Sequence, residues 1–170
     1  MTAAHTTIDS PVGVLTLVTR GGVFSGLYFP GHRNMPAPEV FGPRSERGFE
    51  QVRRQLDEYF AGQRTEFELA TTVGGDEFQR RVWDRIDRIP YGQTTTYGEI
   101  ARELGDPAVA REVGAAVGRN PLSIVVPCHR VVGKDGKLTG YAGGLERKRF
   151  LLELEGAGER VEAVQLQLAG

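Results

Sequence analysis

The sequence predicts an α+β protein with two units: a small antiparallel β-sheet with a helix in residues 1–74, and a winged helix-turn-helix domain in residues 75–170. Two observations favour this division. Short β-rich runs dominate the first thirty residues, whereas apolar residues at helical spacing dominate residues 78–118. The two parts meet at Gly74-Gly75, and the 170 residues, 39% of them hydrophobic, suffice for this arrangement.

The N-terminal unit is expected to open with a β-hairpin. Residues 13–18 and 22–29 are β-rich runs separated by a short polar turn. Residues 30–48 are rich in proline and glycine and predict a surface loop, since these residues interrupt both helix and strand. Apolar residues at helical spacing predict a helix over residues 49–60, and residues 67–71 predict a returning strand.

Three helices are predicted to follow. Residues 78–89 carry one apolar face and end at a proline. Thr96 with Glu99 is typical of a capping box, and Asp106-Pro107 favours an immediate restart, so that residues 108–118 form the third helix. The short turn between the last two helices is typical of helix-turn-helix units. Such units also occur in proteins that bind no DNA, so the spacing alone leaves DNA binding open.

The segments after these helices are expected to place the cysteine beside a wing. Residues 123–126 predict a buried strand that leads to Cys128, and residues 131–138 predict a hairpin, which after a helix-turn-helix forms a wing. Residues 145–155 predict a closing helix. Its inward-facing residues are expected to be Phe150, Leu151 and Leu154.

Composition and charge limit the classes of function. No apolar run approaches the roughly 18 residues that span a bilayer, and the N-terminus lacks the features of a secretory signal, so a cytoplasmic protein is expected. The net charge of −1 is untypical of a nucleic-acid-binding protein. Residues 80–150, however, contain thirteen lysines and arginines against eight aspartates and glutamates, so a polyanion is expected to dock there.

Cys128 is the candidate nucleophile. One cysteine and three scattered histidines supply neither a disulfide nor a structural zinc site, so no metal is predicted. A free thiol has a pKa near ~8.5, and a cationic or proton-accepting neighbour changes its ionisation. His129 and Arg130 directly follow Cys128. On these residues alone, a small buried hydrophobic residue at the end of a strand is the competing interpretation.

The motifs around Cys128 carry a resemblance to a known family. Pro127-Cys128-His129-Arg130-Val131, with Asn120-Pro121 before it and Gly140-Tyr141-Ala142-Gly143-Gly144 after it, closely resembles the signature of the O6-alkylguanine-DNA alkyltransferases, also called methylated-DNA–protein-cysteine methyltransferases. The likeness covers residues 78–155 densely and the N-terminal part in outline. It implies that the protein is of the family's single-function bacterial type and that its N-terminal unit is ribonuclease-H-like. It also implies DNA repair by irreversible, stoichiometric transfer of an alkyl group from O6-alkylguanine to Cys128, without a cofactor.

The resemblance implies roles for individual residues near the cysteine. Cys128 is the alkyl acceptor, His129 takes its proton through a water, and Glu155 orients and charges His129. A base within one water of sulfur suits attack on an alkyl carbon, because the thiolate is the nucleophile. Asn120 is similar to the hinge asparagine that ties the recognition helix to the active-site segment. Without the resemblance, these polar residues would be interpreted as a satisfied histidine, a solvated helix end and a turn former.

Further roles concern DNA. Guanine O6 is buried in the duplex, so the lesion must rotate out of the stack at a cost of a few kcal/mol. The resemblance implies that Arg111 fills the vacated space, that Tyr97 presses on the neighbouring phosphate and that Tyr141 stacks on the flipped base. The backbone N–H of Ala142, where the family often has serine, is expected to face O6. The remaining expected DNA or substrate contacts are Val131, Ala110 and Gly114.

The expected partner is double-stranded DNA that contains alkylated guanine, bound by a monomeric protein with no membrane association. Activity on O4-alkylthymine and cooperative assembly on DNA stay open, as does the effect of Glu112 beside Arg111. The alternative function is a lesion-binding module without transfer, as in alkyltransferase-like relatives that lack the cysteine; the presence of Cys128 argues against it. A cysteine hydrolase would need an oxyanion hole, which the sequence does not reveal.

Overall fold

A computed structural model describes residues 2–157, so the last thirteen residues of the predicted second unit lie outside the described residues. The α+β class is confirmed: a three-stranded antiparallel sheet and one helix precede a mainly helical part. The strands are β1 (Ala3–Ile8), β2 (Leu15–Arg20), β3 (Val23–Tyr28), β4 (Thr95–Thr96) and β5 (Val131–Val132). The helices are α1 (Glu50–Phe60), α2 (Glu77–Asp87), α3 (Tyr97–Glu103), α4 (Ala110–Gly118) and α5 (Leu145–Leu154).

The N-terminal sheet has the order β1-β2-β3, and the predicted hairpin is its β2–β3 pair. Gly21 and Gly22 both have positive φ, which a two-residue hairpin turn requires and glycine adopts without steric cost. Leu17 pairs with Leu27, and both side chains are fully buried. Strand β1 was not predicted, because its alanine, threonine and histidine residues carry no strong β-pattern.

Helix α1 forms where the apolar spacing predicts it, and it buries Val52, Leu56 and Tyr59. The strand predicted over residues 67–71 is wrong: only Thr71 makes an isolated bridge to the sheet. The side chain of Gln55 explains the difference, because its amide donates to Glu68 O and its carbonyl accepts from Glu68 N. These two bonds replace a strand partner for the backbone at this point.

The helix-turn-helix pair is formed by α3 and α4, and α2 packs against α4. The Thr96 hydroxyl caps α3 by accepting from Glu99 N at 3.1 Å, as the sequence predicts. The reciprocal bond of a capping box is not formed, because the Glu99 carboxylate accepts from the Thr95 hydroxyl instead. The third helix begins later than predicted, because residues 107–109 form a short 3-10 helix before α4. The Trp83 indole of α2 donates to Ala116 O at 2.8 Å and fixes this packing.

Two predicted elements after α4 are wrong. Residues 123–126 form turns instead of a buried strand, because Ile124 has a φ of +73°, which no strand accommodates. The predicted wing hairpin is not formed by two paired strands. Its first strand, β5, pairs in parallel with β4, and the return is a tight turn closed by Gly133 N donating to Lys137 O.

Helix α5 closes the fold, and of its three predicted inward residues Leu151 is confirmed as buried, whereas Phe150 is wrong. Lys148, Leu151 and Leu152 are buried, whereas Phe150 is exposed and Leu154 is half-buried. The largest hydrophobic cluster contains buried residues of both parts of the chain. The two parts also meet through the backbone, since Leu27 of β3 bridges to Leu122 and its N–H donates to Pro121 O at 2.8 Å. None of the helices within residues 2–157 is long and apolar enough to cross a bilayer.

Candidate active site

A turn held by one asparagine presents Cys128. Asn120 is 3% exposed, and its side-chain amide donates to Val126 O at 2.8 Å while its carbonyl accepts from Leu122 N at 3.0 Å. The two bonds satisfy backbone groups that would otherwise be unpaired in the interior. They close the irregular segment between α4 and a 3-10 turn formed by residues 128–130. Asn120 therefore links the end of α4 to the backbone just before Cys128.

His129 and Glu155 form a buried pair behind the cysteine. His129 Nε2 lies 2.7 Å from Glu155 Oε2, and both side chains are fully buried. Because the ionised carboxylate accepts only, we assign the imidazole proton to Nε2. The other ring nitrogen, Nδ1, is buried and has no hydrogen-bond partner within the described chain. An imidazole in this state has one free lone pair with which to accept a proton.

Arg130 and Tyr59 complete the surroundings of the Glu155 carboxylate. Arg130 donates from Nε to Oε1 at 2.7 Å and from Nη2 to Oε2 at 3.0 Å, and its Nη1 donates to Ile89 O at 2.6 Å. The Tyr59 hydroxyl donates to Oε2 at 2.6 Å from helix α1. The resemblance assigned no role to either residue. A buried bidentate arginine is typical of a carboxylate that must remain charged.

The ionisation of these groups follows from burial and charge. Burial raises the pKa of Glu155, but the charges and hydrogen bonds of His129 and Arg130 outweigh it and bring the pKa to about 2. Burial lowers the pKa of His129 below its usual value, against the opposing effect of Glu155. Burial raises the pKa of Cys128, although a hydrogen bond from Asn120 and the charge of Lys148 oppose this. At neutral pH the site therefore rests as a thiol, a neutral imidazole and a carboxylate, so Arg130 is the standing counter-charge of Glu155 and His129 adds its charge only when it is protonated.

Lys148 is a third residue to which the sequence assigned no role. Its side chain is fully buried, and Nζ donates to Val131 O and Thr139 O at 2.7 Å each and to Gly140 O at 3.3 Å. Burial lowers its pKa to about 8, while the nearby Cys128 raises it. Lys148 thus ties the segment after the cysteine to residues 139–140. Its spacing of three and four residues from the inward-facing Leu151 and Leu152 was the available signal.

Tyr141 lies against the cysteine. It is 8% exposed, its hydroxyl approaches the Cys128 thiol, and its ring packs against Phe29 at 5.7 Å between centroids. The next residue, Ala142, is half-buried, and its carbonyl accepts from Arg33 N at 2.8 Å. Cys128 itself is 3% exposed.

The residues predicted to contact DNA lie on or beside α4. Arg111 and its neighbour Glu112 are exposed, and Ala110 and Gly114 are half-buried. The Tyr97 ring lies against Gly114, where a β-carbon would be 3.8 Å away. Tyr97 also lies near Thr139 and Cys128, which brings α3, α4 and the cysteine together. Val131 is fully buried, and its carbonyl is already bonded to Lys148.

Two family models match this chain. The model of the 6-O-methylguanine DNA methyltransferase ribonuclease-like domain matches residues 4–73, and that of the DNA binding domain of the same methyltransferases matches residues 77–157. The latter covers α2 to α5, and therefore the cysteine, the His129–Glu155 pair and the α3–α4 unit.

Individual relatives match over nearly the whole chain. A methylated-DNA–protein-cysteine methyltransferase of Mycolicibacterium paratuberculosis is 50% identical over 89% of this chain and 91% of its own length. One from Methanosarcina acetivorans is 45% identical over 88% of this chain and 96% of its own. The crystal structure of Mycobacterium tuberculosis OGT in complex with DNA matches with a TM-score of 0.84 and 45% identity, over 95% of this chain and 98% of that one. The chain therefore belongs to the 6-O-methylguanine DNA methyltransferase family.

Proposed function

We propose that this protein repairs DNA as a methylated-DNA–protein-cysteine methyltransferase, moving the alkyl group of O6-alkylguanine to Cys128 Sγ. The observation that carries the proposal is the buried set of Cys128, His129 and Glu155 in a chain about 50% identical to methyltransferases of that name. The resemblance gives Cys128, His129 and Glu155 their roles, and the geometry is consistent with each role. No cofactor is required, because the substrate itself supplies the transferred group.

His129 acts as the base. Its Nδ1 takes the thiol proton through a bridging water, and Glu155 stabilises the imidazolium through the bond at Nε2. The unpartnered state of Nδ1 supports this role, since a buried ring nitrogen without a partner is costly unless something uses it. The need for a base is clear from the thiol, because burial raises its pKa and leaves it protonated at rest.

The transfer itself is a displacement at the alkyl carbon. The Cys128 thiolate attacks this carbon, a C–S bond forms and the bond between carbon and O6 breaks. The bonding electrons remain on O6, and the purine takes up one proton, which balances the proton that His129 removes from the thiol, to give neutral guanine. The backbone N–H of Ala142 is the proposed hydrogen-bond donor to O6, and the Tyr141 ring stacks on the base. Because the thioether is stable, each molecule reacts once.

DNA enters from the α3–α4 side, with the α4 backbone facing the groove. Arg111 occupies the space left by the flipped base, where a flat cation both stacks and donates hydrogen bonds. Tyr97 presses on the neighbouring phosphate. Ala110 and Gly114 leave room for close approach, while Val131 contributes at the back of the base pocket. The protein acts as a monomer on double-stranded DNA, and Asn120 keeps α4 and the cysteine in register.

Analysis of the DNA product tests the proposal. A duplex with a single O6-methylguanine is mixed with excess protein, and its nucleosides are then separated. We expect O6-methylguanine to be replaced by an equal amount of guanine, with no strand break or abasic site. A duplex that is bound but keeps its lesion would contradict the proposal and identify a lesion-binding module, whereas an abasic product would indicate base excision.

A further inference from the structure

We infer that Tyr59, in the N-terminal part of the chain, is a positioning residue for the proton relay: its hydroxyl fixes the Glu155 carboxylate against His129. The inference rests on the proposed function and extends it to a residue 96 positions away from Glu155 along the chain. The contact links the sheet-and-helix part of the fold directly to the chemistry at Cys128.

Tyr59 is held in place on several sides. It is fully buried in α1, and its ring lies 5.4 Å from that of Phe67 and 6.4 Å from that of Tyr91. Phe67 is itself fixed, because the neighbouring Glu68 backbone exchanges two hydrogen bonds with the Gln55 side chain of α1. The hydroxyl is thus a preorganised donor to the carboxylate.

The two donors on Glu155 Oε2 with the shortest distances are the Tyr59 hydroxyl at 2.6 Å and His129 Nε2 at 2.7 Å. Arg130 binds both oxygens, but its bond to Oε2 is longer, at 3.0 Å, than those of Tyr59 and His129, so these two donors are the closest to the oxygen that faces the imidazole. Burial and the charge of Glu155 raise the pKa of Tyr59, so the phenol stays protonated and donates at every pH of interest. A hydroxyl that shares an oxygen with the imidazole both aims that oxygen and weakens its basicity.

The charged and titratable groups around the relay come from four segments. Tyr59 reaches Glu155 from α1, His129 and Arg130 from the 3-10 turn, and Tyr91 from the segment after α2, while Lys148 of α5 acts on His129. Tyr91 provides the matched control. It contacts the Tyr59 ring and lies near Glu155, but its hydroxyl donates to Leu154 O at 3.2 Å rather than to the carboxylate.

The test compares Tyr59→Phe with Tyr91→Phe in the full chain. Single-turnover transfer from O6-methylguanine duplex is followed between pH 5 and 8, with the reactive fraction fixed by the amount of methylated protein. For Tyr59→Phe we expect the plateau rate constant to fall about threefold to tenfold, since Oε2 is no longer held where it orients the His129 ring toward the thiol. The midpoint of the acid limb should rise by about half a pH unit, because Oε2 has lost a competing donor and becomes a stronger acceptor for the imidazolium. Tyr91→Phe should leave both quantities unchanged.

A titration of the His129 ring by NMR in unreacted protein gives a readout that does not require transfer. Its midpoint should rise in Tyr59→Phe and stay constant in Tyr91→Phe. An unchanged midpoint in Tyr59→Phe would overturn the inference even if the protein were less stable or slower, since lost packing alone would do that. Failure of the proposed function would look different, because the wild-type protein would then leave O6-methylguanine unrepaired.

Discussion

Replacing Glu155 with glutamine should destabilise the protein strongly, because the carboxylate is the common acceptor of a buried group of donors. Tyr59, His129 and Arg130 all donate to it, and Arg130 is itself only 6% exposed. A glutamine has nearly the same volume, but it replaces one acceptor oxygen with an NH₂ group, which is itself a donor and cannot accept from these residues. It also leaves the Arg130 guanidinium without its counter-charge. Removing one partner of a buried ion pair costs about 3–5 kcal/mol.

The pKa of Glu155 gives an independent magnitude. Its value of about 2, against 4.5 for an unperturbed glutamate, corresponds to about 3 kcal/mol at ~1.36 kcal/mol per unit, which is an upper value at pH 7 because part of the shift comes from the charge of protonated His129. The folded pKa is depressed, so this contribution is present above pH 4.5 and is lost as the pH falls toward 2. The difference in unfolding free energy between wild type and Glu155→Gln should therefore be about 3–5 kcal/mol at pH 7 and should shrink below pH 4.5.

Urea unfolding followed by circular dichroism at several pH values measures this difference. Glu153→Gln is the matched control, since Glu153 lies two residues away and is exposed. The control should stay within about 0.5 kcal/mol of wild type. A loss below about 1 kcal/mol for Glu155→Gln, or a loss that stays constant between pH 7 and 3, would refute the view that a buried, ionised carboxylate organises this site.

Three further predictions concern the cation on α4, the buried lysine and the base. Arg111→Ala should slow repair of duplex DNA about tenfold or more, because in the duplex the flipped base leaves a space in the stack that Arg111 fills. Reaction with the free base O6-methylguanine, which leaves no such space, should be unchanged. Equal slowing of both reactions in single-turnover assays would contradict this. Lys148→Met should lower the unfolding free energy by about 2–4 kcal/mol, since three backbone carbonyls lose their donor. Urea unfolding measures the change, with Lys137→Met at an exposed position as the control, and a loss below about 1 kcal/mol for Lys148→Met would contradict the prediction. The transfer rate should be flat from pH 7 to 8.5 and fall only below pH 6.5, because burial lowers the pKa of His129 and keeps the ring neutral. An acid limb of the pH–rate profile centred above pH 7 would show that His129 is not the base.

The parts of the fold that the sequence predicted are those set by local patterns. Helix α1 follows from the spacing of Val52, Leu56 and Tyr59, and the β2–β3 hairpin follows from two β-rich runs separated by a short polar turn. The start of α3 follows from the Thr96 cap. In each case the signal lies within a few residues of the structure that it specifies.

The errors have a different origin. The run Ser123–Val126 reads as a strand, yet Asn120 binds its backbone from outside and Ile124 adopts positive φ. Residues 67–71 also look like a strand, and a side chain of α1 takes the place of the partner strand. Tertiary hydrogen bonds from single side chains overrode local propensity, and no pattern within the segments reveals them.

The residues of the candidate site also fall into those that the sequence predicted and those that only the fold brings to the site. Cys128, His129 and Asn120 stand close together in one motif, so a resemblance was enough to name them together with Glu155. Tyr59 and Lys148 reach the site from helix α1 and from the inner face of α5. In a sequence, a tyrosine on an amphipathic helix is usually interpreted as a packing residue, and a lysine as a solvent-exposed one. Only the folded structure brings the two side chains close to the relay.

The most direct test of the central claim is the mass of the protein after reaction with excess duplex that contains one O6-methylguanine. Intact and peptide masses are measured for wild type and for Cys128→Ser. We predict one added methyl group per chain, confined to the peptide that contains Cys128 and absent from the variant. A methyl group on any other residue, or an unmodified wild-type protein after the lesion has disappeared, would contradict transfer to Cys128.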